Sequence, residues 1–586
     1  MRTMTPRPYR ILSRAAMAAT AMLALGAAPL GGGVATPSSS PLIGRLCHVP
    51  TLPAQAEVPK TLQGWAAGAQ LFDGLGTVHR TVTTRSPQAQ LYFDQGLAWL
   101  WAFNHDEATR SFARAAQLDP SCAMCFWGVA LTIGPNYNLP LMSAPRGQVA
   151  FAALQRAQAL APHASPVEQA LIAALARRYP DGRALSEAQY ATVQASYAGA
   201  MEDVARAYPN DDDVVTLAAE ALMGVHAWQL WSLDGKPAPG TLAILAMLER
   251  VMARNPHHAG ANHYYIHAVE ASPDPARAVP AAERLGTLLP GAGHLVHMPA
   301  HIFQRVGRYA ESASTNAQAA RADLAYFART APLDYYAGYT AHNWQFEAFS
   351  AAAIGRRDEA MTAIAKSRQI VSDDLLRQGG ASPWVTGMVY TVPVRFGLWQ
   401  HLANEPAPAA GLPGLTAAWL WARGNALVEL HRMPEARAAR DALARMTQSA
   451  KPGDEAGLNR APPVFHLALL TLDARLAGAD GDQTRRIALL REAAAAEDAL
   501  AYSEPADWFL PVRHLLGRAL LENGQQAAAE AVYREDLRRE PGNGWALLGL
   551  SQALAAEKRG SEAAAARRAF IRVWASADVM PAYSAY

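Results

Sequence analysis

The chain has 586 residues, with 52 Lys and Arg against 50 Asp and Glu, a formal net charge of +2 and 51% hydrophobic residues. Charge this balanced, spread along the chain, argues against nucleic acid as the main partner, because phosphate binding needs a concentrated basic patch. The length fits several domains or one long array, and only three cysteines, Cys47, Cys122 and Cys125, exclude a disulfide scaffold.

The N-terminus reads as a processing signal. Arg2, Arg7, Arg10 and Arg14 precede an apolar run from Ala15 to Leu30, and Gly33, Val34 and Ala35 offer small residues for cleavage. This predicts a Sec-type signal peptide over 1–35, with an uncleaved anchor as the alternative. The run is short and rich in Ala and Gly for a membrane span. Arg45 ahead of Cys47 argues against lipid attachment. Residues 36–60, rich in Ser, Pro and Thr, read as a flexible leader. The expected location is periplasmic or secreted, with no stable membrane insertion. Cys122 and Cys125 form a lone CxxC, read as a local disulfide or two small core residues against metal or thiol chemistry.

Helix-type periodicity runs almost throughout, without a convincing alternating strand. Numbering the segment from Ala89 as one puts Gly96 at position 8, Trp99 at 11, Ala108 at 20, Phe112 at 24, Ala115 at 27 and Pro120 at 32. A frame from Leu510 puts Gly517 at 8, Leu520 at 11, Gly524 at 15, Ala529 at 20, Tyr533 at 24 and Pro541 at 32. A third, from Ala417, puts Gly424 at 8 and Ala436 at 20. Small residues at 8, 20 and 27 let two helices approach closely, and proline at 32 ends the second. The pattern resembles the tetratricopeptide repeat of 34 residues, here in an exported bacterial-type protein. The resemblance implies an all-α, right-handed superhelical solenoid of stacked helix-turn-helix units. The chain divides accordingly into an N-terminal array over 61–380 with a histidine-rich groove and a C-terminal array over 381–586.

The groove is where the chemistry concentrates. A frame from Ala259, anchored on Pro290 at position 32, puts His263, His267 and Glu270 at 5, 9 and 12. The adjacent frame from Gly293 puts His294, His297 and His301 at 2, 5 and 9, and a frame from Ala341 puts His342 at 2. At about 100° per residue these positions share one helix face, and the repeat resemblance implies that this face lines the concave groove. First helices of adjacent repeats lie about 8–10 Å apart, so the trios are expected to face one cavity. Eight of the 17 histidines fall between His257 and His342, and six of the eight are at groove positions. His257 and His258 read as solvent-facing loop residues. Glu220 and His226, from a frame at Asp212, are weaker candidates.

Imidazole donors suit copper, iron or zinc, and spacing does not separate them. Calcium or magnesium is disfavoured because oxygen ligands are scarce. Glu270 is a ligand or a general base. Pro299 should bend or open its helix beside the ligands, and Met298 reads as core. His105, at position 17 of the first frame, reads as structural. The segment GPNYN at 134–138 reads as a turn. The segment YSEPADW at 502–508 reads as a helix start, with part of a ligand site as the alternative. The leading expectation is an exported repeat protein with a mono- or dinuclear transition-metal site, catalysis left open. The alternatives are a metal-free scaffold for a protein or peptide, in which Tyr264, Tyr265 and Trp344 stack on the partner or else pack between repeats, and a periplasmic metal carrier.

Overall fold

A helix with one apolar stripe cannot bury it alone, and here each helix pairs with the next through a short turn. The computed structural model describes residues 59–585, apart from 140–141, 182–184, 331–333, 378 and 380. The signal segment, Cys47 and nearly all of the leader lie outside the described residues. The described chain is all-α, as the repeat frames require. Its paired strands are limited to a small hairpin joining Glu455–Ala456 to Asn459–Arg460.

The first hairpin pairs α1 (Pro87–Trp101) with α2 (His105–Leu118), and α3 (Ala123–Ile133) opens the next. The Ser86 hydroxyl caps α1 by accepting from the Ala89 amide, and Asn104 caps α2 by accepting from the Glu107 amide. Phe112 is wedged between two glycines. A Cβ on Gly96 would lie 2.7 Å from its ring and one on Gly128 2.5 Å, so no other residue admits this approach. Cys122 and Cys125 form a buried disulfide at the start of α3.

Further along come α4 (Asp212–Met223), α5 (Ala259–Val269), α6 (Val279–Leu288), α7 (Gly293–His297), α8 (Pro299–Arg305), α9 (Tyr309–Phe327) and α10 (Asp334–Ala353). Helices α7 and α8 are one repeat helix interrupted at Met298. Pro299 has no N–H to donate, yet Met298 keeps helical dihedrals of φ −52° and ψ −35°. The interruption is a lost hydrogen bond rather than a turn. Near the C-terminus α11 (Val512–Glu522) and α12 (Gln526–Arg539) repeat the first hairpin. Tyr533 stands where Phe112 does, and a Cβ on Gly517 or Gly549 would lie 2.3 or 2.2 Å from it.

The apolar side chains form two cores, one running from Trp65 to Tyr339 and the other from Tyr309 to Trp574. No helix among the described residues is long and apolar enough to cross a membrane.

Candidate metal centre

Four helices carry the histidines. His263 and His267 lie on α5, and Glu270 is its C-terminal cap. His294 and His297 lie on α7, His301 on α8 and His342 on α10. The approach of α5 to α1 is close because Gly260 sits against Trp101, where a Cβ would lie 2.4 Å from the indole. His258 is not a solvent-facing loop residue: it is buried and caps α5. Its Nδ1 accepts from the Ala261 amide at 3.1 Å and its Nε2 faces Asp213 Oδ1 at 3.1 Å.

The side chains converge into three donor groups, in each of which the ligand atoms lie within 4.8 Å of one another. One is His263, His267 and His294; the second is His297, His301 and His342; the third is Glu270, His301 and Glu504. His301 belongs to two of them. Its Nε2 is 2.7 Å from His297 Nε2, while its Nδ1 is 2.7 Å from both Glu270 Oε2 and Glu504 Oε2.

The other nitrogens are committed elsewhere. His263 Nδ1 donates to the Trp101 carbonyl at 2.6 Å, and His297 Nδ1 donates to Asn316 Oδ1 at 2.6 Å. His267 Nδ1 donates to Glu270 Oε1 at 3.2 Å. These acceptors cannot donate, so each fixes its ring as the Nδ1–H tautomer and leaves the Nε2 lone pair available, the arrangement that outer partners impose on metal-bound histidines. Asn316 is steadied in turn by its amide donating to the Ser312 carbonyl at 2.9 Å. Asp323, on α9, accepts from Thr340 Oγ1 at 3.0 Å and Asn343 Nδ2 at 2.8 Å, gripping α10 on both sides of His342.

The eight side chains are between 0% and 2% exposed, so they do not line the open groove that the repeat frame implies. Aromatic residues fill that groove. Phe103 packs on His263, His267 and His294 with ring centroids 4.6, 5.9 and 5.9 Å away. Tyr137 and Trp228 flank His267, Tyr339 lies on His294, and Phe346 contacts His297, His301 and His342. Phe103 is the turn residue at position 15 of its repeat and has a left-handed φ of 52°. Gly307, Gly355 and Gly524 take that position and conformation elsewhere. A phenylalanine there accepts backbone strain of about 1–2 kcal/mol, offset by its ring packing on the histidines.

Burial sets the charge states. It lowers His263, His294 and His297 well below the usual histidine range, assisted by the neighbouring imidazoles, so these three are neutral and able to ligate. Burial alone would raise Glu270, but His301 and His267 outweigh it and hold the carboxyl at about 2. Burial pushes Glu504 up to about 7 against the pull of His301.

Glu504 is the residue that the spacing argument did not place in the centre. The segment around it starts no helix; α11 begins only at Val512. It is a loop held by Trp384 Nε1 donating to the Asp507 carbonyl at 2.6 Å and by the Asn459 amide donating to Asp507 Oδ2 at 3.0 Å. Arg305 links this loop to α5, with its guanidinium 5.4 Å from the Tyr502 ring and Nε donating to the Glu270 carbonyl at 3.0 Å. Its Glu-Pro-Ala-Asp composition beside aromatics is the one sequence signal that pointed to it. Among the described residues, Glu220 and His226 join no donor group. Glu220 instead anchors the GPNYN turn, accepting from the Tyr137 amide at 2.9 Å.

No known protein family matches the chain, and no curated protein matches it. Solved structures similar to it include the human IFIT1 dimer with m7Gppp-AAAA, at 12% identity over 78% of this chain and 90% of that one, with a TM-score of 0.31. Yeast Tom70 is similar at 10% identity over 82% of this chain and 90% of that one, with a TM-score of 0.29. Superposition this loose says nothing about the histidine centre.

Proposed function

We propose that this chain is a transition-metal protein, a tetratricopeptide-like solenoid whose packed interior holds one or two ions on His263, His267, His294, His297, His301 and His342 with Glu270. The observation that carries this reading is the state of the imidazoles. His263 Nε2, His267 Nε2 and both nitrogens of His294 are buried and make no hydrogen bond with any described residue. Each such atom costs about 1–3 kcal/mol, and three rings that leave the cost unmet around one point fit a cation. The donor set suits copper, iron or zinc. A bound ion would supply Lewis acidity or electron transfer; the chain orients the rings through Trp101, Asn316 and Glu270, and the aromatic shell excludes bulk water. That burial weighs against a peptide reading these residues and against a carrier that exchanges its cargo freely.

The exported location rests on two features. One is the basic and apolar N-terminal segment. The other is the Cys122–Cys125 disulfide, a bond that persists in oxidising compartments.

The test is elemental analysis of the full chain after chelation and reloading with zinc or copper. The wild type is expected to hold stoichiometric metal and His263→Ala/His297→Ala to lose it. Equal metal in the two proteins overturns the reading.

A further inference from the structure

The three donor groups are not equivalent in charge. Each all-imidazole group leaves a divalent ion with its full charge in a buried site, where an uncompensated charge is expensive. Glu270, His301 and Glu504 bring two carboxylates, which cancel a divalent charge entirely. The two carboxylates also need a cation. Their Oε2 atoms both lie 2.7 Å from the single nitrogen His301 Nδ1, and even a proton on that nitrogen would serve only one of them. Among the described residues no Lys or Arg pairs with either, because Arg305 spends its guanidinium on the Glu270 and Ser272 carbonyls. Glu504 Oε1, buried with the rest of its side chain, has no hydrogen-bond partner among the described residues.

We infer that Glu270, His301 Nδ1 and Glu504 form a separate subsite for a harder divalent cation of the manganese or iron(II) class. This rests on the metal-protein reading above and divides its centre in two. The softer ion belongs to His263, His267 and His294. The proton positions are consistent along the whole chain of contacts. His297 Nδ1–H is given to Asn316 Oδ1, so its Nε2 accepts. With His301 Nε2–H given to that Nε2 at 2.7 Å, His301 Nδ1 carries no proton and turns its lone pair toward the space beside the two carboxylates. His297 is then the outer partner that aims His301, in the role a carboxylate or carbonyl usually fills for metal-bound imidazole. Carboxylate-rich donor sets select manganese-like ions, whereas all-imidazole sets favour copper or zinc. The subsite also joins distant parts of the chain, because Glu504 arrives from the loop before α11.

The test uses the chelator-treated full chain titrated with Mn(II) alone, followed by loss of the free-ion paramagnetic resonance signal, with zinc loading measured in parallel. The wild type is expected to bind one equivalent of Mn(II). Glu504→Gln keeps the size of the side chain and should lower Mn(II) affinity beyond the ~10–100-fold that loss of an outer partner costs, while still loading zinc. His294→Ala should keep Mn(II) and lose zinc. Zinc bound by the wild type without any Mn(II) overturns the subsite and leaves the metal-protein reading standing: a proton then holds the two carboxylates. Mn(II) bound equally by Glu504→Gln overturns it as well. A wild type that loads neither ion overturns both.

Discussion

His263, His297 and His514 occupy the same position, the fifth, in three repeats of one chain, and all three are buried. Their surroundings differ completely. His263 and His297 give Nδ1 to an acceptor and turn Nε2 toward other imidazoles. His514 has both nitrogens engaged by charged groups: Nε2 is 3.0 Å from Asp536 Oδ2, and Nδ1 accepts from Arg395 Nη1 at 2.9 Å. Asn543 completes that network by donating to the same Asp536 oxygen at 2.8 Å. A repeat position therefore puts a histidine inside the solenoid and says nothing about what it does there. The partners decide: a ring engaged at both nitrogens by charged groups is structural, and a ring that turns Nε2 toward other imidazoles belongs to the donor cluster, as a ligand or as the partner that aims one.

The sharpest way to break this comparison is to remove His514. Asp536 then loses its ring partner inside a buried network, a loss of about 3 kcal/mol for a buried charged group left short of a hydrogen bond. His514→Ala should lower the denaturant midpoint accordingly and leave zinc or copper content unchanged. Loss of metal with little loss of stability would put His514 on the wrong side of the division.

A smaller effect sharpens it from the other direction. Asn316 fixes the tautomer of His297 and belongs to none of the three donor groups. Asn316→Leu is expected to weaken metal binding about 10–100-fold, measured by competition with a chelating dye, with full occupancy recovered at high metal. The matching change at the structural histidine, Asn543→Leu, should cost stability and leave metal affinity alone. Equal metal affinity in Asn316→Leu and wild type would reduce Asn316 to packing.

The helical architecture was readable because it depends on local spacing: glycine at position 8, an aromatic at 24 and proline at 32 are steric requirements of the hairpin itself. The frames also placed the first helices of two repeats at Ala259 and Gly293, where α5 and α7 begin. Two things escaped. Glu504 lies more than 200 residues from His301 in sequence, and no periodicity links a loop to a helix face at that distance. The closed interior was equally hidden, because it depends on Phe103, Tyr137 and Phe346 arriving from three different segments. His258 shows the same limit at short range: the loop position was legible, but its partner Asp213 comes from α4.

His105 supplies a third kind of buried histidine, with neither an ion pair among the described residues nor an imidazole neighbour, packed beside Phe103 at 6.0 Å. Burial, then the cationic Arg178 and Arg146, lowers it to about 3. In the unfolded chain it titrates near the ordinary value of about 6.5. Above that value neither state binds the proton. Between the two values the unfolded chain takes it up and the folded one does not, so stability falls as pH drops. One unit below the unfolded value, at about pH 5.5, the loss from this residue alone is about 1.4 kcal/mol. The chelator-treated His105→Gln variant should therefore lose about that much less than wild type between neutral pH and about pH 5.5, as read from denaturant midpoints. The ligand histidines contribute their own acid sensitivity to both proteins, and the difference isolates His105. An identical acid loss in the two proteins would mean that folded His105 takes up the proton as readily as the unfolded chain. Burial alone would then be too weak to keep an imidazole neutral in this interior.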